Sequence, residues 1–192
     1  MEDKELIKAY AEGDDEAFAL LLKRYLPALY NFIFQMVRDR AAAEDIVQEA
    51  FIKAWKHLSR FDREKSFKTW LFAIAKNTAY DYLKKKKSIP FSSFEDEEGD
   101  NRLEVTDEDA LLPDEIMERK DIGQEVSAVL EEMPELYRTV LVLAYKEDLS
   151  LSEISEILDT QYNTVKSRHG RAIKMLRQAI IKRDASRGGK QS

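Results

Sequence analysis

The chain has 192 residues, 44% hydrophobic and 35% charged, with a formal net charge of −6. That length allows one ordinary domain or two small ones, each with a modest core. With no cysteine and only two histidines, His57 and His169, a disulfide framework, Cys-based zinc sites and a Cys–His catalytic pair are excluded. The opening MEDKELIKAY is acidic and polar rather than basic and then apolar, so it does not read as a secretory signal. No apolar run is long enough to span a bilayer and no phosphate-cradling glycine loop occurs. The sequence predicts a soluble intracellular protein.

The net charge conceals a division. Residues 88–115 hold eleven Asp/Glu and one Arg, whereas residues 1–87 sum to +3 and residues 161–192 to +8. Charge distribution informs about partners more than the total does, and basic ends around an acidic middle suggest two working domains and a tether.

In chain order, Leu6, Ala9 and Tyr10 predict a short amphipathic helix, and Asp14 or Asp15 can cap the next, in which Phe18, Leu21, Leu22, Tyr25 and Leu29 recur at helical spacing. Ile46, Val47, Ala50, Phe51, Ala54, Trp55 and Leu58 then form one apolar stripe, with Asp45, Gln48, Glu49, Ile52 and Lys56 on the outward side. After a break at 59–62, Phe67, Trp70, Leu71, Ile74, Ala75 and Thr78 line a further helix that Ser66 can cap. Residues 1–87 therefore read as a helical bundle.

The stretch 88–115 has no sustained period, contains Pro90 and Pro113, and is dominated by like charge, which predicts a mobile tether. Beyond it, residues 116–133 predict one helix, Pro134 an interruption, and residues 137–145 a continuation. Ser150 or Ser152 can cap a short helix with Ile154, Ile157 and Leu158 inward. Residues 159–162 make a turn, and Asn163 or Thr164 can cap a longer helix with Val165, Ala172, Ile173, Leu176 and Ile180 inward. The tail from Asp184 to Ser192 reads as disordered. The fold class expected is all-α, with an N-terminal bundle (1–87), a flexible acidic linker (88–115) and a C-terminal helix-turn-helix domain (116–183).

The last helix carries the chemistry. A short helix, a tight turn and a longer helix is the helix-turn-helix pattern, and Lys166, Arg168, Arg171, Lys174 and Arg177 crowd the longer one, with Asn163 and Ser167 near its start. A merely solvated helix mixes charge signs, yet residues 165–181 contain no acidic residue. In such motifs the start of the second helix enters the major groove, where arginine can pair with guanine while lysines neutralise phosphates.

These residues resemble the bacterial sigma-70 factors of the extracytoplasmic-function (ECF) group. AEDIVQEAFIKAWKHLSRFD (43–62) is similar to the family's core-polymerase-binding segment and SFKTWLFAIAKNTAYDYLKKKK (66–87) to its segment for the −10 promoter element. MPELYRTVLVLAYKEDLSLSEISEIL followed by NTVKSRHGRAIKMLR is similar to its −35-reading domain. The resemblance implies a cytoplasmic, non-enzymatic transcription initiation factor that binds core RNA polymerase, reads −35 and −10 elements and nucleates strand opening. It implies no cofactor and no metal.

By the same resemblance, Asp45, Gln48 and Glu49 would dock on the coiled coil of the polymerase's largest subunit, and the C-terminal domain on the flap of the second-largest. Arg63, Lys65, Ser66, Phe67, Trp70, Lys76, Asn77 and Tyr80 would meet the melted −10 strand, the loop before the helix shaping a pocket for a flipped base. Lys84 to Lys87 would attract phosphate or favour the helix end. Asn163, Thr164, Lys166, Ser167, Arg168, Gly170, Arg171 and Lys174 would meet the duplex −35 element. The position of Gly170 more often carries a larger side chain in relatives, so the −35 sequence does not carry over. An anti-sigma factor is a further implied partner, and the acidic linker would run through the polymerase toward the RNA exit path. Two other readings use less of the chain. A stand-alone helix-turn-helix regulator leaves the N-terminal motifs unused, and an all-helical metal enzyme would need Asp14–Asp15 or Asp107–Glu108–Asp109, which lack ligand spacing.

Overall fold

The structure, a computed structural model, describes residues 1–87 and 122–188, with side chains over 1–86 and 126–183. Every regular element among the described residues is helical, as the periodicity predicts. The described residues divide into two compact units, residues 1–87 with 152–160 and residues 122–151 with 161–188. The acidic stretch 88–115, expected as a tether, lies outside the described residues.

In the first unit, α1 (Asp3–Ala11) begins where the Glu2 backbone N–H donates to Glu5 at 2.7 Å. Gly13, at φ 102°, makes the turn into α2 (Asp15–Val37), in a left-handed conformation that glycine adopts without steric cost. Asp14 caps α2 by accepting from the Glu16 N–H at 3.0 Å. Asp39 caps α3 (Arg40–His57) by accepting from Ala42, and its other oxygen meets Lys86 of α4 at 3.3 Å. A 3₁₀ turn (Leu58–Arg60) and a loop lead to α4 (Phe67–Lys87), which Ser66 caps through the Thr69 N–H, as expected. The helices close over Leu21, Leu29, Ile33, Ile46, Ala50 and Leu71, with Phe32 and Phe72 in ring contact at 5.2 Å. Each buried leucine, isoleucine or phenylalanine among them contributes about 1.5–3 kcal/mol over leaving it in water.

One member of the predicted α3 stripe is turned out: Trp55 is 52% exposed. Nine residues past Ile46, at about 3.6 residues per turn, it sits half a turn away at the stripe's edge. There its indole N–H donates to the Tyr10 hydroxyl at 2.7 Å.

In the second unit, α5 (Ile122–Glu132) precedes Pro134, and α6 (Glu135–Leu141) runs into a π turn at Val142–Lys146. Arg138 is buried and donates to the Met133 carbonyl at 3.1 Å, satisfying one of the acceptors that a helix end leaves open. Helix α7 (Leu151–Leu158), which from Ser152 onward groups with the first unit, starts just after Ser150, and Asp159, at φ 52°, turns the chain. Helix α8 (Tyr162–Gly188) starts one residue before the caps expected for it. Asn163 and Thr164 therefore lie in its first turn, with the Thr164 N–H on the Gln161 carbonyl at 3.0 Å. The tail expected to be disordered is helical through Gly188, since Ala185 and Arg187 are good helix formers and nothing breaks the run before that glycine. Val129, Met133 and Leu141 pack on Ala172, Ile173, Leu176 and Ile180 of α8.

Candidate nucleic-acid interface

Helix α8 sorts its residues by register. Val165, His169, Ala172, Ile173, Leu176 and Ile180 are buried, the i, i+3, i+4 stripe of a core-facing helix. On the outer side, Asn163, Lys166 and Lys174 are exposed, and Thr164, Ser167 and Arg171 are half-buried. Two residues expected on the DNA side are instead turned in. Arg168 is buried because it stands three residues after Val165, at the edge of the apolar stripe, and Gly170 is buried because it has no side chain to rise from the flank. His169 stacks on Tyr145 (centroids 5.6 Å apart), with Nε2 at 3.1 Å from the hydroxyl, and burial holds its pKa below the ordinary value. It is a packed residue.

The second candidate surface surrounds the loop before α4. Arg63 and Lys65 are exposed and their side chains form no ion pair among the described residues. Phe67, expected to meet DNA, is only 4% exposed. Its ring lies 5.7 Å from Phe61, Trp70 and Tyr25 alike, so it is the centre of an aromatic cluster. Trp70 and Tyr80 are half-buried, and Asn77 is exposed. Lys76 is the other correction. It is buried with its ammonium 5.5 Å from the centre of the Tyr80 ring, and burial lowers its pKa. The ring face offers the cation a partner that requires no solvent, so Lys76 does not stand out as a phosphate contact.

The loop also forms one wall of a cavity of about 400 Å³, and of the residues facing it there Asp3 and Arg24 were not singled out from the sequence. Asp3 of α1 and Arg24 and Tyr25 of α2 line it together with Arg63, Lys65 and Phe67. The Asp3 carboxylate accepts from Arg24 on one oxygen and from the Tyr25 hydroxyl on the other, and Arg24 also donates to the Met1 carbonyl at 2.7 Å. Burial first, and then the Asp3 carboxylate, push the Tyr25 phenol well above its ordinary range. It therefore remains a donor at any physiological pH.

On α3, Asp45, Gln48 and Glu49 are exposed on one face, since they are spaced i, i+3, i+4. Glu49 pairs with Lys53 at 2.8 Å, and Ile52, 51% exposed, continues the same face. The surface thus joins carboxylates, an amide and an apolar side chain.

Comparison with known proteins identifies two family regions in the chain. Residues 21–89 match the family model for Sigma-70 region 2, and residues 123–176 that for Sigma-70, region 4. The ECF RNA polymerase sigma factor SigW of Bacillus subtilis is 35% identical over 92% of this chain and 96% of its own length. This chain is an ECF sigma factor. The RNA polymerase sigma-H factor of Pseudomonas aeruginosa is likewise 35% identical, over 93% of this chain and 94% of its own. Among solved structures, the sigma factor RpoE of Bartonella quintana, in complex with the anti-sigma factor NepR, is 25% identical over 85% of this chain and 96% of that one (TM-score 0.62). As a sigma factor, the protein directs promoter-specific transcription initiation by RNA polymerase. The families it matches are those of initiation factors, none of them catalytic. No helix among the described residues is long and apolar enough to cross a membrane.

Proposed function

We propose that this sigma factor divides promoter reading between its two basic surfaces. Helix α8 presents Asn163, Thr164, Lys166, Ser167, Arg171 and Lys174 to the major groove of a duplex −35 element. The observation that carries this is the sidedness of α8, on which the buried stripe leaves a continuous outer face without one acidic side chain between residues 165 and 181. Arg63, Lys65, Ser66, Trp70, Asn77 and Tyr80 receive the opened −10 strand, where stacking and cations suit unpaired bases. Asp45, Gln48 and Glu49 of α3 dock on the coiled coil of the largest polymerase subunit, hydrogen-bonding basic partners there, and the C-terminal domain meets the flap of the second-largest.

Residues 1–87 act as the region 2 domain and 116–183 as the region 4 domain, joined by the acidic stretch 88–115, which would follow the path of nucleic acid toward the RNA exit. The protein acts in the cytoplasm, catalyses no reaction itself, and is held in check by an anti-sigma factor, as RpoE is bound by NepR in the related structure.

Run-off transcription with core RNA polymerase on a library of randomised promoters tests the reading. Protein-dependent transcripts sharing one −35/−10 pair are expected. Binding of the isolated protein to duplex DNA with no such transcripts would reject it in favour of an autonomous regulator. Replacing the acidic residues of 95–109 with Ser and Gly is expected to impair initiation; unchanged abortive and full-length synthesis would exclude the linker's role.

A further inference from the structure

The first helix is absent from the promoter-reading surfaces assigned above, yet it closes the cavity beside the 61–67 loop. A space of about 400 Å³ falls within the roughly 300–1,000 Å³ typical of small-ligand sites, suited to a single nucleotide rather than to a duplex. Phe61 and Phe67 supply apolar wall, and Arg63 and Lys65 stand at the loop without ion-pair partners among the described residues. A site of this composition favours a flat, uncharged base attached to an anionic backbone.

Arg24 is placed to do more than add charge. A guanidinium carries five N–H donors in a rigid fork. Two of its nitrogens are committed, one to the Asp3 carboxylate and one to the Met1 carbonyl. Arg24 and Asp3 both line the cavity, so the fork is anchored by α1 and the residues just before it while facing the space a base would fill. The Tyr25 hydroxyl, on the other Asp3 oxygen, fixes the carboxylate in turn. A flexible arginine would lose side-chain entropy on binding, roughly 2 kcal/mol for its full rotamer freedom, whereas an anchored one has already lost much of it.

We infer that Arg24 reads the acceptor edge of one unpaired base held in the cavity between α1, α2 and the 61–67 loop, and that Asp3 is the positioning residue that aims it. This rests on the single-strand reading of the loop surface proposed above. It adds to that surface a specificity-determining residue from α2 and makes α1 part of the DNA-binding machinery.

The test uses the full chain assembled with core RNA polymerase. The probes are fluorescein-labelled single-stranded oligonucleotides carrying the −10 strand selected from the randomised library, each position replaced in turn by the other three bases or by an abasic unit. Affinity is read by anisotropy. At one position the wild-type protein is expected to prefer one base, and Arg24→Ala to lower that preference by roughly 5- to 150-fold, the span of one good arginine–base pair. Arg24→Lys, which keeps the charge but loses the fork, should also flatten the preference, and Asp3→Asn should weaken it in part at the same position only. Preferences at other positions, and binding to a duplex −35 probe, should not change. Because a general loss of structure would lower affinity for all probes alike, an equal fall across every position overturns the inference. So does full discrimination in Arg24→Lys and Asp3→Asn, or tighter binding by Asp3→Asn, which would make the carboxylate a competitor rather than a guide. If the wild-type protein shows no preference at any single-stranded position, the reading of the loop surface fails and this inference with it.

Discussion

The two basic regions proposed to read the promoter have opposite geometries. Helix α8 is convex, its outer face carrying Lys166, Arg171 and Lys174 above a buried apolar stripe. The loop surface is concave, with Arg63 and Lys65 at a cavity walled by aromatic rings. A duplex offers a groove of fixed width that admits a helix, so the protein needs only a rigid rod with correctly spaced donors. An unpaired base has no fixed position until something holds it, so the protein must supply the enclosure. The difference teaches why the first surface lies within one helix and the second draws on three separate elements.

The sharpest way to break the comparison is to reverse charge on the convex face. Lys166→Glu with Lys174→Glu is expected to reduce −35-dependent run-off transcription by on the order of 10²-fold, since phosphate neutralisation dominates affinity. Binding of single-stranded −10 probes should persist. Equal loss of both would show that the two surfaces do not work separately. Both lysines are exposed, so unfolding should not intrude, and circular dichroism checks this.

The scaffold of the bundle that carries the concave face can be broken as well. Phe72 is fully buried and meets Phe32 at 5.2 Å. Phe72→Ala should cost about 3–5 kcal/mol, the lost transfer energy plus the cavity left behind. Denaturant unfolding measures it, and a loss below about 1 kcal/mol would mean that the bundle collapses into the hole. The capping Ser66 gives a smaller, local version: Ser66→Ala removes the acceptor for the Thr69 N–H and should cost about 1 kcal/mol. Its effect should appear in single-strand affinity before duplex affinity, because the cap sits where the loop enters α4.

The sidedness of the proposed convex face was legible in sequence for the same reason that it is simple. Asn163, Thr164, Lys166, Ser167, Arg171 and Lys174 lie within twelve residues of one helix, and helical register assigns their side. Where the reading slipped, register was also the cause. Arg168 shares an edge with the apolar stripe, Gly170 has no side chain to present, and Trp55 stands half a turn from Ile46. Lys76 and Phe67 are buried by neighbouring rings, which spacing along one helix cannot reveal. The concave site was only partly legible. Asp3 and Arg24 are 21 residues apart on different helices, so their pairing leaves no periodic trace. Its nearest local signal was that Tyr25 recurs at helical spacing and so had to face inward.

The smallest effect separates the two regions by pH. His169 is buried on α8 against Tyr145, and burial lowers its pKa below the ordinary 6.5. The unfolded chain, with a histidine of ordinary pKa, therefore takes up a proton on acidification before the folded chain does. Where the unfolded state binds more protons, stability rises with pH. The contribution is thus complete above about pH 6.5 and declines as pH falls below it, levelling off once the folded imidazole also protonates. Urea unfolding between about pH 7.5 and 5 should show this decline in the wild type. His169→Phe, which keeps an aromatic ring beside Tyr145 but cannot titrate, should flatten it. The variant gives up the hydrogen bond between Nε2 and the Tyr145 hydroxyl, so some stability is lost at every pH, and only the slope is diagnostic. An unchanged slope in His169→Phe would place the acid sensitivity elsewhere. A flattened slope would tie it to the core beneath the convex face, where one buried imidazole links the packing of α8 to proton concentration.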